Sequence, residues 1–249
     1  MYHFYTERSN ISADRIVLTG EDVNHIRNVL RMKLGEELII CDGEGTDHYC
    51  RIAGFDGGNV EADIIESFGS RSELETKIYL FQGMPKKDKM ELIIQKAVEL
   101  GVYEIVPVMT RRVIVKLDDA KKEARKLERW QAIAESAAKQ SGRGIIPKVT
   151  EVMDLKHAIE YAKTLDADLI PYENADSSEC GMENSRAIIR GLHGKRSVGI
   201  FIGPEGGFEE SEIEQAVNAG FKCISLGRRI LRTETAGLAI LSVIMFELD

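Results

Sequence analysis

The segment Val198-Gly-Ile-Phe-Ile202 carries no charged residue and no alternation of polar with apolar positions, and the chain turns directly after it at Gly203-Pro-Glu-Gly-Gly207. A short apolar run of this kind fits a strand covered on both faces, the environment of a parallel α/β sheet. Pro204 stops strand pairing, while Gly206 and Gly207 permit positive φ and bring bare backbone amides toward a ligand. Glu209, Glu210 and Glu212 then open a helix, where acidic side chains offset the helix dipole. Ligands of open α/β sheets sit at such carboxyl-end turns. The turn matches neither G-x-G-x-x-G nor G-x-x-x-x-G-K-[ST], so neither phosphate cradle is supported, and alone it also reads as a plain strand-to-helix connection.

A second turn adds to the first. Residues 224–226 read as another buried strand, Gly227 frees the backbone, and Arg228, Arg229 and Arg232 place three cations close together. Thr233 or Thr235 can cap a final helix whose side chains from Ala236 to Phe246 are apolar almost all round. Such a helix needs burial in a core or a subunit interface, and it is shorter than the ~20 apolar residues of a membrane span.

Elsewhere the pattern divides the chain. Up to about residue 68 the sequence predicts short strands at 3–5, 16–18, 37–41, 49–55 and 60–65, one helix at 22–31, and glycine-rich breaks, which together suggest a small β-barrel. The small, polar stretch 69–73 reads as a linker. Beyond it, strands at 77–81, 104–108 and 167–171 alternate with helices at 87–100, 121–140, 158–163 and 186–192, an α/β sheet of mostly parallel strands. The expected domains are therefore 1–70 and 73–249.

Composition narrows the partners. Apolar residues make up 43% of the 249 positions, enough for an ordinary core. The net charge of -8 argues against nucleic acid, but the charge is uneven. Residues 1–72 hold 7 Lys and Arg against 13 Asp and Glu, whereas 84–143 hold 14 against 9, so a local basic surface for phosphates is available. Cys41, Cys50, Cys180 and Cys223 form no C-x-x-C pair, and the five histidines show no metal-ligand spacing; reduced structural thiols and no metal are expected. With no signal or membrane segment read, a cytoplasmic location is the expectation.

Motifs spread along the chain resemble the RsmE family of 16S ribosomal RNA uridine-N3 methyltransferases, within the SPOUT superfamily. They are Ile202-Gly-Pro-Glu-Gly-Gly-Phe208 and Leu226-Gly-Arg-Arg-Ile-Leu-Arg-Thr-Glu-Thr-Ala236, with His25-Ile-Arg-Asn-Val-Leu-Arg31, Gln95-Lys-Ala-Val-Glu-Leu-Gly101 and Ala137-Ala-Lys-Gln-Ser-Gly-Arg143. The resemblance implies a PUA-like β-barrel followed by a SPOUT α/β domain whose carboxyl-terminal chain forms a deep trefoil knot, an exception to ordinary connectivity. It also implies a homodimer, 16S rRNA or the small ribosomal subunit as partner, and S-adenosylmethionine as cofactor, held by loops at 171–174, 203–207 and 226–233. The cofactor contacts carried over are Pro171, Tyr172, Glu173, Ile202, Gly203, Glu205, Gly206, Gly207, Leu226, Gly227, Ile230, Leu231 and Thr233. Relatives commonly place Ser where Glu209 stands, which alters the helix cap.

The chemistry suggests the remaining roles. Uridine N3 carries an imide proton, so catalysis has to orient the base, stabilise the uracil anion and relay a proton. Arg232 is the leading candidate for the electrostatic role and Arg143 the second, each alternatively a phosphate contact or a salt bridge. Glu205 and Glu234 are candidate proton acceptors, Glu205 reading more readily as a loop tie. Arg27, Arg31, Lys86, Lys87, Lys89, Arg111, Arg112, Gln140 and Arg143 are candidate RNA contacts. Two other readings are a ribose 2'-O-methyltransferase of the same superfamily and a non-catalytic RNA-binding assembly factor.

Overall fold

The computed structural model describes residues 1–113, 120–172 and 181–249. The chain forms two compact units, Met1–Glu73 with Ala138–Ile146, and Leu74–Ala137 with Pro147–Asp249.

In the first unit, β1 (His3–Tyr5), β2 (Arg15–Leu18), β3 (Glu37–Cys41), β4 (Thr46–Asp56) and β5 (Asn59–Gly69) make one sheet in the order β1-β3-β4-β5-β2. Only the β1–β3 pair is parallel. Alternate residues turn inward, so Leu38 and Ile40 of β3, Cys50 and Ile52 of β4, and Val60 and Ala62 of β5 share a core with Ile16 and Leu18. The tight β4–β5 hairpin turns at Gly57 and Gly58, both at positive φ. The helix expected at 22–31 is two pieces, α1 (Glu21–Asn24) and a π-helical turn over His25–Val29.

The expected linker is a clasp. Gly69 ends β5, and the Glu73 carboxylate takes the Arg143 guanidinium at 2.6 and 2.8 Å together with the Gly144 and Ile145 N–H groups. Tyr5 adds its hydroxyl to the Ala138 and Arg143 carbonyls. These bonds bring 138–146 into the first unit, which local patterning did not foresee.

The second unit is a parallel sheet with helices on both faces. Its elements run β6 (Lys77–Gly83), α2 (Lys89–Glu99), β7 (Glu104–Met109), α3 (Ala120–Ser141, its last turn from Ala138 on counted in the first unit), β8 (Lys148–Val149), β9 (Met153–Asp154), α4 (Leu155–Ala162), β10 (Ala167–Pro171), α5 (Met182–Arg190), β11 (Ser197–Ile202), α6 (Glu210–Asn218), β12 (Lys222–Ile224) and α7 (Thr233–Leu248). Strand order is β12-β10-β11-β6-β7-β8, with β9 also on β7, and every pair is parallel. Neighbouring residues of the apolar strands serve opposite faces. Phe81 stacks on Phe201 with ring centres 4.2 Å apart, in the core that includes Leu155 and Ile159 of α4 and Ile213 and Ala216 of α6. On the other face, a side chain at Gly237 of α7 would touch Leu80 and Ile202.

Several boundaries differ from expectation for local reasons. Lys87 adopts φ 58, so α2 begins at Lys89 rather than at 87. Asp154 caps α4 by accepting the His157 N–H at 2.8 Å, which starts that helix at Leu155. Strand β12 ends at Ile224, leaving Ser225 and Leu226 in the loop. Neither threonine caps α7: Arg232 occupies the cap position and the Thr233 hydroxyl is engaged elsewhere.

Candidate active site

The carboxyl ends of β10, β11 and β12 and the start of α7 enclose a cleft of about 690 Å³. Pro171 and Tyr172 end β10, Ile202 to Phe208 follow β11, and Ser225 to Thr233 run from β12 into α7. All the cofactor-contact candidates among the described residues line it: Pro171, Tyr172, Ile202, Gly203, Glu205, Gly206, Gly207, Leu226, Gly227, Ile230, Leu231 and Thr233. Glu173 and Asn174 lie outside the described residues. Phe208, Ser225, Arg229 and Ala236 also line the cleft and were not selected, although Phe208, Arg229 and Ala236 stand inside the quoted motifs.

The glycine loop is folded tightly on itself. Gly207 has φ 67 and donates to the Pro204 carbonyl at 2.8 Å, and a side chain at Gly203 would meet the Gly207 and Phe208 backbone at 3.1 Å. Its carbonyls are secured from outside. The Thr233 hydroxyl donates to Gly203 at 2.6 Å, and the Arg112 guanidinium donates to Gly206 at 2.6 Å. Behind Thr233 stands Gln82, fully buried, whose amide N–H groups reach the Thr233 hydroxyl at 2.8 Å and the Gly83 carbonyl at 2.9 Å. Sequence reading missed Gln82, because a lone glutamine ending a strand carries no local signal.

The two candidate proton acceptors share one cation. Lys89 Nζ lies 3.3 Å from Glu205 and 3.1 Å from Glu234, and Glu205 also accepts the Lys86 N–H at 3.0 Å. Burial pushes the Glu205 carboxyl up, but its own and the Lys86 backbone N–H and the Lys89 ammonium outweigh this and hold it below the usual carboxylate range. Glu234 is held low in the same way, burial being outweighed by its own N–H and Lys89, with a smaller contribution from Arg232. Both are therefore ionised at neutral pH and weakly basic. Lys89, expected on RNA phosphate, is instead committed to these carboxylates.

Arg232 is exposed at the cleft, and its guanidinium makes no ion pair or hydrogen bond among the described residues. Arg143 has the opposite fate. It is 3% exposed and bidentate on Glu73 within the first unit, so of the readings given to Arg143 the salt bridge is the one the structure shows.

The other RNA candidates are spread along both units. Lys86 and Lys87 are exposed just before α2, and Arg111 bonds Glu209 and Ser211 at 3.3 and 3.0 Å. Gln140 is exposed on the last turn of α3, Arg31 is exposed, and Arg27 lies over the Phe55 ring at 5.1 Å. Glu209 does cap α6 in place of serine: its N–H donates to Glu212 at 2.8 Å, and Glu212 also accepts the Arg111 N–H at 2.9 Å.

Among the described residues, folding assembles one group of potential metal ligands, His3, Cys41 and Asp47, with ligand atoms within 4.8 Å of one another. Burial pushes the Cys41 thiol up to about 12, and it donates to the Gly144 carbonyl at 3.1 Å.

Comparison with known proteins agrees with this geometry. Residues 72–245 match the model of an RNA methyltransferase domain, and 18–65 that of an RNA methyltransferase PUA domain. The chain is 37% identical to ribosomal RNA small subunit methyltransferase E of Bacillus subtilis, over 98% of this chain and 94% of that protein. It is 35% identical to the protein of the same name from Mesomycoplasma hyopneumoniae, over 97% and 98%. The crystal structure of the Neisseria gonorrhoeae enzyme of that name, bound to S-adenosyl methionine, superposes with a TM-score of 0.79 at 34% identity, covering 99% of this chain and 97% of that one.

Proposed function

The chain belongs to the ribosomal RNA small subunit methyltransferase E family, and from that premise we propose that it transfers a methyl group from S-adenosylmethionine to N3 of a uridine in 16S rRNA. It is an S-adenosylmethionine-dependent rRNA methyltransferase; the base, the atom and the residue roles are our reading.

The cleft suits this cosubstrate. Ile202, Leu226, Ile230 and Leu231 offer apolar walls for a neutral adenine, and the glycine backbone allows close approach. Ionised Glu205 in the lining favours a cationic ligand. When bound, S-adenosylmethionine supplies an electrophilic methyl group on its sulfonium.

The observation that carries the reading is the Arg232 guanidinium beside the glycine loop, which has no ion-pair or hydrogen-bond partner among the described residues. Arg232 bonds O2 or O4 of the uracil and stabilises the anion formed as the imide proton leaves, remaining charged throughout. Glu205 and Glu234 are tied by Lys89 and held below the ordinary range, which makes them weak acceptors, so the imide proton is given up to hydroxide or buffer base from solvent. Lys86 and Lys87 contact phosphates beside the target base, which must be unpaired or flipped for N3 to be reached.

A homodimer is supported by apolar surface left on α7, where Phe246 is 86% exposed and Val243 48%. No helix among the described residues is long and apolar enough to cross a membrane.

The test is transfer of labelled methyl from S-adenosylmethionine to small-subunit RNA, followed by nucleoside analysis. N3-methyluridine is expected. A 2'-O-methylnucleoside would move the reading to ribose methylation, and absence of transfer would favour a non-catalytic assembly role.

A further inference from the structure

Lys89 occupies an unusual position relative to Arg232. Glu234 follows Arg232 by two residues in the first turn of α7, and the two charges lie close enough to interact. The partner of the Glu234 carboxylate is instead Lys89 Nζ, which reaches it at 3.1 Å from the side of α2.

The partners of Lys89 depend on it unequally. Glu205 keeps the Lys86 N–H at 3.0 and 3.2 Å if the ammonium is lost, and its loop keeps the Arg112 bond to Gly206 and the Thr233 bond to Gly203. Among the described residues, Glu234 would retain its own backbone N–H and the attraction of Arg232. Loss of Lys89 therefore leaves the cofactor loop braced while releasing Glu234.

We propose that Lys89 is a positioning residue for methyl transfer: by holding Glu234 on α2, it keeps the Arg232 guanidinium free to bond the uracil carbonyls. The inference rests on the role assigned to Arg232 above. Lys89 touches no reacting atom in this scheme. Its effect passes through Glu234, so removing the released carboxylate should repair the damage.

The experiment compares wild type, Lys89→Met, Glu234→Gln and the double variant Lys89→Met/Glu234→Gln, with Arg232→Ala alongside. Lys89→Met is expected to lower kcat about tenfold while S-adenosylmethionine affinity, measured by calorimetry, stays within about threefold, and the double variant to recover kcat to within about threefold of wild type. The Arg232 Nε–H signal in NMR spectra of the full-length protein should shift in Lys89→Met and return in the double variant. A double variant as slow as Lys89→Met, or an Arg232 signal unmoved by that substitution, would overturn the proposal. Near-normal kcat in Arg232→Ala would instead remove Arg232 from catalysis, and the NMR comparison would still decide whether Lys89 keeps Glu234 off it. If Lys89→Met unfolds, Lys89→Gln replaces it with the same expected pattern.

Discussion

The hydroxyl of Thr233 donates a 2.6 Å hydrogen bond to the carbonyl of Gly203, joining the first residue of α7 to the loop after β11. Thr233 is buried and its oxygen also accepts from Gln82, so Thr233→Val removes both bonds, leaving the half-buried Gly203 carbonyl and one N–H of the buried Gln82 amide unmet. The expected cost is about 1–3 kcal/mol of stability, with a weaker affinity for S-adenosylmethionine. Thr233→Ser, which keeps the hydroxyl, should restore that affinity. Calorimetry and thermal melting check both halves, and an unchanged affinity in Thr233→Val would show that this brace does not shape the cleft.

Breaking the Arg143–Glu73 pair should act on folding. The guanidinium is almost wholly buried against its carboxylate, and stranding one buried charge costs about 3–5 kcal/mol. Glu73→Gln should therefore shift the urea midpoint sharply downward. A midpoint equal to wild type would contradict the clasp.

Asp168 makes stability depend on pH. Its Oδ1 is buried without a partner among the described residues, a side chain at Gly199 across the sheet would lie 2.2 Å from it, and burial pushes the carboxyl up to about 7. The unfolded chain ionises this group near pH ~4, so between ~4 and ~7 the folded state binds the extra proton and stability falls as pH rises. Above ~7 this contribution levels off. In Asp168→Asn it should vanish, so the variant gains on wild type as pH is raised across that interval. Parallel stability curves for the two proteins would refute the assignment.

Lys86 and Lys87 are expected to act on RNA affinity alone. Reversing both to Glu should weaken binding and lower the salt slope by about 1 for each lost phosphate contact. Titrations of small-subunit RNA at several ionic strengths measure this, and an unchanged slope would place the RNA elsewhere.

Most of the cleft could be read from local sequence, because the signals that build it are local. Apolar strand ends followed by glycine and proline mark the turns at 203–207 and 226–233, and those turns do line one cleft. What could not be read are the contacts that span the chain. Gln82 meets Thr233 across 151 residues, and Lys89 meets Glu234 across 145. Arg143 was misplaced for the same reason: its partner Glu73 lies 70 residues upstream, and a polar loop after a helix resembles an active-site loop until that partner is seen. The clasp also explains why local patterning divided the chain at the linker, although 138–146 returns to the first unit.

The measurement that tests the account most directly is single-turnover methyl transfer by Arg232→Ala at saturating S-adenosylmethionine and RNA. Loss of one preorganised electrostatic donor should lower the rate by about 100-fold or more, with cofactor affinity within about threefold of wild type. A rate within a few-fold of wild type would contradict the central role given to Arg232.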